Sequence, residues 1–154
     1  MATQAAQVAI LTPLAVGIVA VLCTIVIHAV ALGATVNLVR HETRLGRAGA
    51  SYCSDFAIVV TAIMVAFAAH LMEIALWAQV FLICGEFTTF EAAFDHSAVN
   101  YTTLGYGDVV MSPAWRLMGP LEAADGMLMF GVTTAMIFAV IQRLIRLRLP
   151  ELRD

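Results

Sequence analysis

Apolar residues gather into three long runs along the chain, not into the spaced stripes of water-soluble helices. From Met1 to Val39 there is no Asp, Glu, Lys or Arg, and His28 is the one basic ring. Thr12-Pro13 supplies a cap and a first-turn residue, so the pattern predicts a helix from about Pro13 to Val39. About 20 apolar residues span a hydrocarbon core, and the extra length is taken up by tilt. A second run, Phe56 to Cys84, is interrupted by His70, Glu73 and Gln79. A third runs from Pro120 to Leu147, uncharged from Gly126 to Gln142 and followed by the stop signal Pro150. Between the second and third lies a more polar stretch, Glu86–Gly119, with Gly105, Gly107, Pro113 and Gly119.

Composition gives the same class. Of 154 residues 62% are hydrophobic and 12% charged, with mean hydropathy +0.92. Soluble domains are usually about 45–50% apolar and about 25% charged. The chain has too little polar surface for a disordered segment, a nucleic-acid partner or an ordinary cytosolic enzyme. Cys23, Cys53 and Cys84 form no CxxC and no ligand spacing, so neither a disulfide framework nor a zinc site is expected. The expected class is an all-α integral membrane protein.

The eight basic residues are all Arg and are unevenly placed. Arg40, Arg44 and Arg47 follow the first run, Arg143, Arg146, Arg148 and Arg153 follow the third, and only Arg116 lies in the polar stretch. Positive-inside counting puts a 40–55 loop and a 148–154 tail in the cytoplasm, and the N-terminus and residues 86–119 outside. Anionic lipid headgroups are natural neighbours of the Arg146–Arg153 end.

The polar stretch reads as a short helix over about 88–101, with Thr88 as cap and Glu91 completing a capping box. Thr102-Thr103-Leu104-Gly105-Tyr106-Gly107-Asp108 follows. Non-helical backbone at membrane depth survives only where protein covers it or it lines water. Glycine enters the left-handed region without steric cost, and Gly105 and Gly107 are spaced for a strand whose handedness alternates.

These seven residues, on the outside between two spans, resemble the signature of the potassium channel pore-domain family. The resemblance covers about Phe56 to Arg146. It implies an outer helix (56–84), a re-entrant pore helix (about 88–101), a selectivity filter (102–108) and an inner helix (about 120–147), together a pore domain at 56–147. The N-terminal helix of residues 1–39 is an addition to that module. The resemblance further implies a homotetramer, passive K+ conduction without catalysis, and no cofactor beyond the permeant K+. Carbonyls of Thr103, Leu104, Gly105 and Tyr106 would hold K+, with the Thr103 hydroxyl at the innermost site and Gly107 completing the filter. Thr102 and Asp108 would support it. Where many members carry two Trp, this chain has Asp95 and His96, which makes His96 the candidate brace for Asp108. Gly131, and secondarily Gly126, are candidates for the inner-helix hinge, with close packing as the alternative.

Two further readings concern other residues. Glu86, Glu91, Asp95, Asp108, Glu122 and Asp125 make the outer side acidic, ordinarily a solvated rim, with Glu122 or Asp125 able to cap the third helix. His28, His70 and Glu73 are ionisable residues inside spans. They suggest a buried hydrogen-bonded pair that fixes the extra helix, or a pH-sensitive clasp. The rival to a potassium channel is a non-conducting or weakly selective pore-loop protein, or a scaffold binding metal through those three residues. Compactness and the lack of a targeting tail point to a bacterial inner membrane.

Overall fold

The computed structural model describes residues 2–149, with side chains described from residue 10 onward. The expected tail, with Arg153, lies almost wholly outside the described residues. Among the described residues four helices follow in order: α1 Ala2–Arg44, α2 Tyr52–Ile83, α3 Phe90–Tyr101 and α4 Met118–Arg148. Among the described residues there is no strand. The three long helices are able to cross a membrane. At 1.5 Å per residue they measure roughly 65, 48 and 46 Å, against a hydrocarbon core of about 30 Å, so their ends reach into the polar headgroup zones.

Several boundaries differ from expectation. α2 begins at Tyr52 rather than Phe56, which shortens the 40–55 loop. Pro13 lies inside α1 instead of opening it, which membrane helices tolerate because neighbouring polar groups take up the freed carbonyl. α1 continues past Val39 to Arg44, where His41 and Arg44 in the last turn complement its negative end. The cap of α3 is Thr89, not Thr88: Thr89 is extended (φ −129°, ψ 146°) and its hydroxyl accepts from the Ala92 N–H at 3.3 Å. Glu91 therefore sits in the first turn as a favourable charge rather than as the far corner of a capping box.

The chain divides into two compact units, Met1–Ile27 with Leu71–Met129, and His28–His70 with Phe130–Asp154. The first unit packs Ala20, Ile74, Trp77, Phe81, Tyr101, Met111, Met118 and Met129. Apart from His96, its buried polar groups are paired across helices. Trp77 donates its indole N–H to Asp125 Oδ2 at 2.9 Å, and the Thr24 hydroxyl lies 2.8 Å from the same oxygen. Ser97 is shared between the Ile74 carbonyl (2.9 Å) and the Glu122 carboxyl, and Tyr101 donates to Glu73.

The second unit packs Ile58, Val140 and Leu144 with Val39, Ala48 and Val59. Asp55, in the first turn of α2, accepts from the Gly49 N–H (2.8 Å) and pairs with Arg148 in the last turn of α4 (2.6 Å). Both charges sit at the helix ends that favour them.

The acidic rim is corrected in part. Glu122 and Asp125 are fully buried. They lie three residues apart and hence on one face of α4, where Ser97, Trp77 and Thr24 meet them. Large apolar side chains such as Leu11, Val26, Phe56 and Phe138 are exposed instead, which suits a lipid surround.

Asp125→Ala removes the acceptor of the buried Trp77 N–H and should cost about 2–4 kcal/mol of stability. Asp125→Asn keeps an acceptor and should cost about half as much. Thermal unfolding in detergent reads both, and equal losses would contradict the hydrogen-bonded role.

Candidate functional site

The last turn of α3 fixes the Thr102–Asp108 loop. Thr102 caps the helix, its N–H and its hydroxyl both reaching the Ala98 carbonyl at 3.1 and 2.7 Å. Thr103 N–H donates to the Asn100 carbonyl (2.8 Å), and Leu104 and Gly105 N–H both donate to the Val99 carbonyl (2.9 and 3.2 Å). The start of the loop is therefore bonded directly to the helix end.

Backbone handedness alternates along the loop. Thr103, Gly105 and Gly107 have φ of 61°, 57° and 74°, while Leu104 and Tyr106 between them do not have positive φ. No side chain or backbone crowds the Cβ position of Gly107, so conformation rather than space requires glycine there. Thr103 is the surprise. A β-branched residue in the left-handed region costs on the order of 1–3 kcal/mol and persists only where its surroundings impose it. Leu104 and Tyr106 point outward, with Tyr106 71% exposed.

Beside the loop lies a cavity of about 490 Å³ lined by Asp95, His96, Asn100, Asp108 and Arg116 among others. His96 is buried between Phe87 and Phe81, with ring centroids at 4.9 and 5.6 Å. Its Nε2 lies 2.8 Å from the Asn100 amide nitrogen. With the Asn100 amide in this orientation its NH2 is the donor of the pair and the ring nitrogen the acceptor. Asp108 acts on His96 through its charge, and the hydrogen bond goes to Asn100. Glu86 holds the segment after the loop, accepting from the Ser112 N–H and hydroxyl at 2.7 and 2.6 Å.

The two glycine candidates differ. A Cβ on Gly126 would lie 2.1 Å from the Tyr101 carbonyl oxygen, whereas Gly131 has open space. Gly126 is a close-approach residue that lets α4 lie against the end of α3.

The three intramembrane residues are placed as follows. In the second unit, the His28 and His70 rings are 5.2 Å apart, and Thr133 Oγ1 lies 3.1 and 3.0 Å from their Nε2 atoms. One hydroxyl donates a single proton, so at least one of the two rings donates its Nε2–H to it. In the first unit, Glu73 receives the Tyr101 hydroxyl. Sequence reasoning missed Thr24, Ser97, Tyr101 and Thr133; a hydroxyl inside an apolar helix is the one signal that could have flagged them.

The profile of the ion channel family matches residues 58–143, more than half of the chain and the whole stretch from within α2 through α3 and the loop to α4. The protein belongs to that family. No curated protein and no solved structure matches it. The family assignment makes this chain an ion channel and a membrane protein, with α1 outside the matched region.

Two outcomes follow for the channel. Gly126→Ala should destabilise it by about 1–3 kcal/mol or more through overlap with a backbone carbonyl, while Gly131→Ala should be neutral or stabilise α4 by up to about 1 kcal/mol. Thermal unfolding checks this, and equal effects would contradict the packing described.

Burial pushes the His96 imidazole below its ordinary range, and the carboxylates of Asp108, Asp95 and Glu86 pull it part of the way back. With the folded value below the unfolded one, the neutral ring contributes stability above the unfolded value of about 6.5. That contribution disappears as pH falls through the folded value. Acidification from about pH 7 to about pH 5 should lower the Tm, and the drop should shrink in His96→Gln. An undiminished drop would assign the pH dependence elsewhere.

Proposed function

We propose that this channel is selective for K+, which passes down its gradient through a central pore formed by four copies of the chain. The alternating backbone of Thr103, Gly105 and Gly107, hung from the end of α3, carries the reading. A K+ ion gives up its water only where oxygens replace it, and alternating handedness turns successive carbonyls to one side. The carbonyls of Thr103, Leu104, Gly105 and Tyr106 are the proposed ligands, with the Thr103 hydroxyl closing the innermost site. One loop supplies one row of oxygens, so a ring needs several copies. The exposed Tyr106 ring is free to pack against a neighbouring copy and hold the diameter.

Charge supports the same reading. The C-terminal end of a helix carries roughly half a negative charge, and four α3 ends converging at mid-membrane favour a cation below the filter. In the proposed orientation the loop faces outward and the Arg-bearing ends of α1 and α4 face the cytoplasm. Gly131, with open space around it, remains the proposed inner-helix hinge.

The test is cation flux from liposomes holding the purified protein. K+ efflux should greatly exceed Na+ efflux and be blocked by barium. Gly105→Asp should abolish it by placing a side chain and a charge at a left-handed position, while His70→Ala should leave it in place. Flux that survives Gly105→Asp, or that ignores the difference between K+ and Na+, would contradict the proposal.

A further inference from the structure

We propose that Tyr101 and Ser97, held by Glu73 and Glu122, are positioning residues that set ion selectivity; this rests on reading the Thr102–Asp108 loop as the filter. The buried face of α3 consists of Ala93, His96, Ser97 and Tyr101. Ser97 and Tyr101 are four residues apart and therefore on the same side. Both are fully buried, and each meets a fully buried carboxyl on a different long helix, Glu122 on α4 and Glu73 on α2. Ser97 also holds the Ile74 carbonyl of α2 at 2.9 Å.

An apolar contact would fill the same space, but it lets a helix slide and roll. A hydrogen bond has direction, and two of them one turn apart fix both the depth of α3 and its rotation. The last turn is fixed a third time, because Gly126 brings the α4 backbone against the Tyr101 carbonyl. That turn carries the loop, whose Leu104 and Gly105 N–H groups share the Val99 carbonyl. A shift of α3 is passed to the carbonyl row with no intervening joint. Binding constellations work within about 0.5 Å of their geometry, so a clamp on α3 is a clamp on selectivity. Buried carboxyls are costly, and here they fix a geometry that apolar side chains would leave loose.

A merely structural role is separable from this one. Replacing both partners of a buried hydrogen bond by apolar groups is nearly neutral for stability. The double variant Tyr101→Phe with Glu73→Leu removes both ends of that bond, and in preparations whose thermal melting shows a folded channel its K+ to Na+ permeability ratio should fall by roughly tenfold or more. Glu73→Gln keeps an acceptor for the Tyr101 hydroxyl and should keep the ratio. Tyr101→Phe alone, which retains the ring, is read in the same way and should lose selectivity as the double variant does. The ratio is measured from bi-ionic reversal potentials of the full-length protein in planar bilayers. A native ratio near one would overturn both the filter reading and this inference. A selective native channel with equally selective double and single variants would overturn the inference alone.

Discussion

A chain that turns back inside an apolar slab must satisfy its own polar groups, since hydrocarbon offers no partners. In the proposed channel that constraint falls on the first unit. α3 ends in a non-helical loop, and each early amide of the loop finds a carbonyl of the last helical turn. α3 in turn is held through Ser97 and Tyr101, and α1 is joined to the same core where Thr24 meets Asp125. Buried hydroxyls and carboxyls thus do what water does at the surface of a soluble protein.

The same economy explains the added helix. α1 lies outside the part of the chain that the ion channel family matches, yet it is no loose appendage. In the first unit Thr24 reaches the Asp125 oxygen that also receives Trp77. In the second, His28 shares Thr133 with His70. Each contact uses one polar oxygen as the meeting point of three helices, the Asp125 carboxylate in the first unit and the Thr133 hydroxyl in the second.

The spans were legible because uninterrupted apolar runs have few other uses, and the glycine spacing announced an unusual backbone. Helix ends were less legible. Pro13 reads as a start in isolation but lies within α1, and Thr88-Thr89 offers two caps between which only the entering backbone decides. Glu122 and Asp125 misled for a different reason. Acidic residues beside a loop look solvated, and their partners Ser97, Trp77 and Thr24 stand 25, 48 and 101 positions away. No periodicity encodes such pairs. The left-handed Thr103 was equally hidden, since local preference argues against it and the surrounding loop imposes it.

In the proposed channel, main-chain oxygens take the place of water around one monovalent ion. Crystals of the assembled protein soaked in rubidium, a heavy stand-in for K+ with strong anomalous scattering, test this most directly. The account predicts a row of peaks on a fourfold axis, each flanked by the carbonyls of Thr103, Leu104, Gly105 or Tyr106. An axis without rubidium, or a loop whose carbonyls turn away from it, would contradict the claim.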